Sequence, residues 1–497
     1  MTEEILNKIK HFINNNQFIE AEELIEKSKN TNNTLMLYFS GFVKHMLNKN
    51  EEAIEYLKKI KKKTPEVFFL MGNIKENLSK LDEALDYLNQ AIKIKDYYWQ
   101  AHFNKGLILM KKRNIEEAEK SLKKVLKIDQ NNYNAEYFLG ILSANYDFKI
   151  AEKHYRKVIS LYPDHEQAHA ELGKILLFYG NLKEGWDEYQ WRSNYLEKIY
   201  PQNIKSVPLW DGKNSLTHKL LIFREQGLGD EILFASCYNE IIEKTKKCFF
   251  ISDSRLINLF KNSFPKGEFL REDIFSKNTD LSKILPTARI QNCNIPKYFR
   301  KSFKHFPNKR NYLKPNKVKY EIWKKKLLKD SKGRLKVGIA WNSSSKDDSE
   351  NKKKFNMPGI LAPIEFRLNE WEHFLSIDNL FLVNLMYKNV DKEINDSRIN
   401  NKNKIITYKN LDIKNDIDNV AALLANLDII ISAQTWIGDF ASALGTEVLK
   451  FHNIFSVTRL GQKNIPWNNS TVFDSKNGSW KESFELIKSL LNKRMVK

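Results

Sequence analysis

The sequence predicts a chain in two parts, a helical-repeat superhelix followed by a doubly wound α/β region. Three observations carry this reading. Gly41, Gly72, Gly106, Gly140 and Gly173 recur at spacings of 31, 34, 34 and 33 residues. After residue 219 the pattern changes to short apolar runs separated by amphipathic stretches. The first run leads into Glu225-Gln226-Gly227-Leu228-Gly229-Asp230, which reads as the end of a strand, a glycine turn and a helix start.

The repeats are expected over residues 1–195. A second marker series, Ala21, Ala53, Ala84, Ala118 and Ala151, holds the same period and opens patterns such as Ala84-Leu85-Asp86-Tyr87-Leu88. Glycine and alanine belong where two helices approach too closely for bulk, so each unit is a helix pair that stacks on its neighbours. Arrays of this kind offer a concave face to extended partners. Gln100, Asn134 and Gln167 each stand six residues before their unit's glycine, and Tyr137 lies one turn beyond Asn134. These side chains are candidates for that face.

A junction is expected at 196–218. It is preceded by Gly180, Gly185, Trp186, Tyr189, Trp191 and Arg192, and holds Pro201, Pro208, Trp210 and Gly212. Aromatic density this high implies a packed joint rather than a free linker. Its preferred reading is structural.

Beyond it, the runs Leu220–Phe223, Cys248–Ile251, Lys336–Trp341, Leu380–Leu385, Lys404–Tyr408, Asp428–Ser432 and Glu447–Phe451 have the length of buried parallel strands. Helical patterns such as Glu231–Lys244 and Val420–Leu427 lie between them. Two halves are expected, 219–332 and 333–497, joined by the basic stretch Lys314–Lys332. In such sheets ligands bind beyond the carboxyl ends of strands. Three ends carry polar chemistry: Gln226–Asp230, Trp341-Asn342-Ser343-Ser344-Ser345, and Ser432-Ala433-Gln434-Thr435-Trp436-Ile437-Gly438-Asp439. Facing one cleft, they would suit a nucleotide diphosphate held by amides and hydroxyls at a helix start, without a metal.

Composition narrows the class. The 497 residues carry a net charge of +21, but the lysines are spread along the chain and no nucleic-acid motif accompanies them, so no nucleic-acid partner is expected. No run of about 18 apolar residues occurs, and no membrane span is expected. An acidic N-terminus argues against a signal peptide. Three cysteines without a CxxC pair fit a reducing cytoplasm better than a disulfide framework or zinc site.

With these residues in view, the chain resembles bacterial tetratricopeptide-repeat proteins whose C-terminal half is similar to the heptosyltransferase family of GT-B glycosyltransferases. The motif Gly-x-x-x-x-Gly-Trp-x-x-Tyr-x-Trp-Arg is matched by Gly180, Gly185, Trp186, Tyr189, Trp191 and Arg192, and Trp-x-Gly by Trp210 and Gly212. Glu225–Asp230 matches its motif in full, with Phe234 and Ala235 after it. Val337, Gly338 and Trp341 match a later strand, and Ser432, Thr435, Ala441, Ala443, Leu444 and Gly445 the last motif. The resemblance implies two Rossmann-like domains around a cleft, a nucleotide-sugar donor on the C-terminal one, and transfer that needs neither metal nor cofactor. Asp230 would be the general base, and its rival role is to cap the helix it opens. Gly227, Gly229, Trp341, Asn342, Ser343, Ser432, Gln434, Thr435, Gly438 and Asp439 would form the donor and phosphate site. Lys353, Lys354 or Arg367 would supply positive charge.

Three positions depart from the family. Gln434 replaces an aspartate, Asp439 a histidine and Asp474 an arginine. A carboxylate at 439 is expected to repel donor phosphates unless it points away or binds a sugar hydroxyl. The expected function is therefore a cytoplasmic glycosyltransferase whose repeats dock a protein or glycan acceptor. The alternative is a degenerate transferase serving as a repeat scaffold for protein partners.

Overall fold

The computed structural model describes residues 2–28, 33–197, 202–213, 215–224, 227–272, 281, 284–307, 311–342, 366–399, 403–452, 458–468, 470–475 and 479–495. The chain divides into two units, Met1–Pro163 and Asp164–Lys497.

The first unit is built of antiparallel helix pairs: α1 (Thr2–Asn14) and α2 (Phe18–Lys27), α3 (Thr34–Met46) and α4 (Asn50–Lys58), α5 (Pro65–Asn77) and α6 (Leu81–Ile94), α7 (Trp99–Lys111) and α8 (Ile115–Ile128), α9 (Tyr133–Ser143) and α10 (Phe148–Leu161). The marker residues act as their spacing implies. A Cβ at Gly41, Gly72 or Gly106 would lie 2.6–3.0 Å from Leu57, Leu88 or Leu122 of the paired helix. Ala53, Ala84, Ala118 and Ala151 are wholly buried. Polar groups also cross between helices. Lys44 is 7% exposed and meets Glu22, Glu26 and Glu52 at 2.7, 3.2 and 2.8 Å. Asn104 donates to Asn73 at 2.7 Å, linking successive repeats. Asn134 is exposed, and Gln100 and Tyr137 are part-exposed.

The second unit opens with one more helix pair, α11 (Glu166–Phe178) and α12 (Leu182–Tyr189). The sequence assigns this pair to the array, whereas its contacts group it with the α/β region. The cause is the aromatic face of α12. Trp186 is 3% exposed, donates its indole N–H to Arg300 O at 3.1 Å, and meets Trp467 edge-on at 5.9 Å.

Two all-parallel sheets follow. The first contains β1 (Lys219–Phe223), β2 (Lys247–Ser252), β3 (Glu268–Arg271) and β4 (Ala288–Gln291) in the order β3-β2-β1-β4. The second contains β5 (Leu335–Ala340), β6 (Leu380–Asn384), β7 (Ile405–Ile406), β8 (Ile429–Ser432), β9 (Glu447–Phe451) and β10 (Thr471–Phe473) in the order β10-β9-β8-β5-β6-β7. Each of the seven apolar runs contains a strand, the shortest being β7. The strands β3, β4 and β10 lie outside those runs. In β4, Arg289 and Gln291 break the apolar run yet are buried, because the Arg289 Nε donates to Val207 O at 2.7 Å. The basic stretch between the halves is the helix Lys317–Ser331, anchored by Trp323, whose indole donates to Asn419 at 3.1 Å.

Gly173 of α11 tests this packing. A Cβ there would lie 2.4 Å from the backbone nitrogen of Tyr189, which cannot swing aside as a leucine can. Gly173→Ala is expected to destabilise the second unit by about 1–3 kcal/mol, read as a lowered urea midpoint.

Candidate active site at the strand ends

In the first sheet the chain moves outward from β1 through β2 to β3, then returns to place β4 on the other flank of β1. In the second it moves from β5 through β6 to β7, then places β8 on the other flank of β5. Each sheet thus has a switch point, at β1/β4 and at β5/β8. A crevice opens beyond the carboxyl ends at such points. The motifs singled out from sequence follow β1, β5 and β8.

The structure brings the β1 and β8 motifs together. A Cβ on Gly229 would lie 2.9 Å from the Cβ of Trp436, so the helix Leu228–Phe234 and the helix Trp436–Leu444 touch at their first turns. The ends of β5 and β8 are direct neighbours: Ala340 is in register with Ser432, and Ala433 N donates to Ala340 O at 2.7 Å. All three motif ends therefore share one edge of the unit.

Asp230 is the third residue of its helix and part-exposed. Its Oδ2 accepts from Gly227 N at 3.3 Å, so the carboxylate reaches back to the residue before the helix. This is a capping contact made from inside the helix rather than from its first flanking residue. Glu225 and Gln226 lie outside the described residues.

After β8, the hydroxyls turn inward. Ser432 Oγ donates to Ala433 O at 2.7 Å and shares a hydrogen bond with Thr435 Oγ1 at 2.8 Å; Ser432 is wholly buried and Thr435 6% exposed. Gly438 packs over Ser432, where a Cβ would lie 3.1 Å from that hydroxyl. What this end presents outward is the amide-rich start of the helix Trp436–Leu444, with Gln434 part-exposed beside it.

Asp439 is held by partners within the unit. It pairs with Lys450 of β9 at 2.6 Å and accepts from Asn468 at 3.2 Å. Lys450 is 1% exposed. The Asp439 carboxylate thus has its charge met by a buried ammonium. Asp474 is likewise paired, with Arg459.

Trp341 is a core residue. It is 0% exposed, so it offers no face for stacking a base or sugar, and its indole N–H has no partner among the described residues. Asn342, next in the chain, lines a cleft of about 1120 Å³ beyond β5 and β6. Among the described residues four basic side chains line it, Arg367, Lys388, Lys392 and Lys414, against two acidic ones, Glu393 and Asp396. Sequence reading named Arg367 alone. Lys388 lies just past the run Leu380–Leu385, and the strand-end rule applied to β6 would have reached it. Ser343, Lys353 and Lys354 lie outside the described residues.

A second charged group stands beside the glycine turn. Arg224, which follows β1, meets Glu231 at 3.0 Å and also pairs with Glu272. Glu231 Oε2 accepts from Asp253 N at 3.3 Å. Complete burial pushes the Glu231 carboxyl up to about 7, against the pull of Arg224. Burial works in the same direction on Asp253, but its bonds from Arg255 hold it below the ordinary value. Arg255 in turn donates to Lys414 O at 3.2 Å, tying the end of β2 to the basic cleft. Sequence reading did not single out Arg224 or Glu231, because a charged residue at a strand or helix end normally faces water. Among the described residues no group of three or more His, Cys, Asp or Glu is arranged to hold a metal ion. No helix among them is long and apolar enough to cross a membrane.

Two outcomes follow from these charges. Lys450→Met, which strands Asp439, is expected to cost about 3–5 kcal/mol, with much of that recovered in the Asp439→Asn/Lys450→Met double variant; a denaturation cycle measures it. For Glu231 the folded chain holds the proton more tightly than the unfolded chain, where the ordinary value is 4.5. Its contribution is full below that value and is lost as pH rises to about 7. The melting temperature of the native protein should carry a downward component across that window that Glu231→Gln lacks.

Residues 65–98 and 99–132 each match the tetratricopeptide repeat family. The chain is 30% identical over 306 residues to Protein FlbA of Caulobacter vibrioides, a match covering 59% of this chain and 49% of FlbA, so it spans about half the length of that curated relative. Solved structures similar to it include YrrB, described as a tetratricopeptide protein with an unusual peptide-binding site, at 22% identity over 33% of this chain and 88% of YrrB, TM-score 0.29. MamA of Desulfovibrio magneticus RS-1 matches at 20% identity over 34% of this chain and 93% of MamA, TM-score 0.29. A repeat-containing protein of Cytophaga hutchinsonii matches at 15% identity over 47% of this chain and 85% of that one, TM-score 0.35. The chain carries tetratricopeptide repeats in its first unit, followed by an α/β region of parallel sheets.

Proposed function

We propose that the chain is a cytoplasmic glycosyltransferase of the GT-B type, which moves a sugar from a nucleotide-diphosphate donor to a protein or glycan acceptor docked by the repeats. The observation that carries this reading is the contact of Gly229 with Trp436. It sets the turn bearing Asp230 against the start of the helix Trp436–Leu444, on the edge where the basic cleft also opens.

In this reading the nucleotide lies beyond β5 and β6, beside Asn342, with Arg367, Lys388, Lys392 and Lys414 balancing the diphosphate. Amides at the start of the helix Trp436–Leu444 take part of the leaving-group charge. Asp230 accepts the proton of the acceptor hydroxyl as that oxygen bonds to the anomeric carbon and the bond to the diphosphate breaks. Its capping bond to Gly227 fixes the carboxylate's direction. Pairing of Asp439 with Lys450 removes the repulsion that an unpaired carboxylate would exert on a phosphate.

The second reading is a scaffold without transferase activity. The same contacts favour it in one respect: Asp230, Ser432, Thr435 and Asp439 all have structural partners. Tetratricopeptide arrays serve protein partners in either case.

A thermal-shift screen of the full chain against nucleoside diphosphates separates the two. A ligand at about 100 times its Kd adds about 2.7 kcal/mol. One nucleotide should stabilise the protein, and Lys388→Ala with Lys392→Ala should weaken that shift. Asp230→Asn should keep the shift and lower kcat by about 10²–10⁴-fold. Stabilisation by none of the nucleotides would sink the transferase reading, as would full activity in Asp230→Asn.

A further inference from the structure

The junction residues have no part in the crevice, and the sequence reads them as a structural joint. They enclose a second cavity of about 290 Å³, lined by Trp191, Ser193, Trp210, Gln291, Asn294 and Tyr298 among others.

Its aromatic walls are held from several sides. Trp210 N donates to Arg289 O at 2.8 Å, which fixes the segment before it along β4. The Tyr298 ring lies 4.7 Å from that of Trp210, and its hydroxyl donates to Trp210 O at 3.1 Å. Gly212, at φ +81°, covers Tyr298 so closely that a Cβ would lie 2.3 Å from the ring. This accounts for the glycine of the Trp-x-Gly motif. Trp191 lies flat on the His169 imidazole, with centroids 4.0 Å apart and 6° between planes. Glu188 holds that imidazole from its edge.

Most of the described polar lining is neutral. Asn294 Nδ2 donates to Ser193 Oγ at 2.8 Å and to Gln291 Oε1 at 3.3 Å. Ser193 and Gln291 are at most 5% exposed, so this chain of groups is built into the wall. Amides and hydroxyls can each both donate and accept. Among the described lining residues only Arg289 is charged, and its Nε is turned to Val207 O at 2.7 Å.

The volume sits at the lower limit of small-molecule sites, which suits one ring rather than a nucleotide. Flat aromatic faces suit the C–H face of such a ring, and paired donors and acceptors suit its hydroxyls. None of the described lining residues is acidic, so none balances an ammonium, and the one cation, Arg289, is 5% exposed. We infer that this cavity binds a single neutral polyhydroxylated ring, either a free monosaccharide or the terminal residue of a glycan. Gln291 is in register with Phe223, the last residue of β1, so the cavity opens at the same end of the first sheet as the Asp230 turn. The inference goes beyond the transferase reading and holds with or without a nucleotide in the crevice.

The test is direct binding to the full chain without nucleotide, by saturation-transfer NMR and calorimetry. The probes are glucose, galactose, mannose, their methyl glycosides, and glucuronate as the charged control. At least one neutral sugar should bind and glucuronate should not. Asn194 is exposed on the rim, so Asn194→Trp should block the entrance without disturbing the core and weaken binding by about tenfold or more. Trp191→Ala should do the same. A methyl glycoside that binds identifies the end of a glycan, and binding of the free sugar alone identifies a monosaccharide. The inference is overturned if no neutral sugar binds, if glucuronate binds equally, or if Asn194→Trp binds as well as the native chain.

Discussion

The polar edge of the second unit depends on the absence of a side chain at Gly229. With no Cβ there, the first turn of the helix after β1 can rest on Trp436, at the first turn of the helix after β8. The same two helices are stitched again from one short segment. Tyr312 donates its hydroxyl proton to Ile232 O at 2.8 Å, and Leu313 N donates to Ala443 O at 3.0 Å. Two sheets that share no hydrogen-bonded strand are thereby held with their polar ends together. Everything proposed for the crevice rests on that alignment.

Buried charge is arranged alike on both sides. Glu231 and Asp439 are each the fourth residue of the helix that follows a sheet strand. Each is drawn inward to a cation, Arg224 just beyond β1 and Lys450 within β9. A buried pair gains little net stability, because desolvation offsets attraction, but losing one partner is costly. These pairs therefore fix how each helix sits on its sheet more than they deepen the fold's free energy. The charge of Asp439 is legible only with Lys450 beside it, and those residues are eleven positions apart.

Where the sequence pattern repeats or runs apolar, it reads clearly. The glycine and alanine series give the repeats, and Leu220–Phe223 or Ile429–Ser432 give strands, since burial on both faces demands unbroken apolar side chains. What escapes is burial satisfied by distant partners. β4 hides Arg289 by means of Val207. Trp341, next to a polar loop, reads from sequence equally as a stacking platform or a buried side chain, and it fills the core. The basic cleft gathers Arg367, Lys388 with Lys392, and Lys414 from three separate segments, and no linear motif announces such a convergence. Asp230 could be placed at a helix start from sequence, but the direction of its capping bond needed coordinates.

The two units also differ in how far apart in the chain their contacts are made. Each helix pair of the first unit closes over a few dozen residues, so it can form as soon as it is synthesised. In the second sheet, β5 lies at the centre, but its neighbour β8 arrives late: Lys336 and Asp428 bond across 92 residues. In the first sheet, Lys219 waits 68 residues for Thr287. A growing chain would thus expose β1 and β5, unpaired on one edge and strongly apolar, while its leading repeats are already folded. The repeats would then be the soluble head that carries a slow, adhesive tail through synthesis.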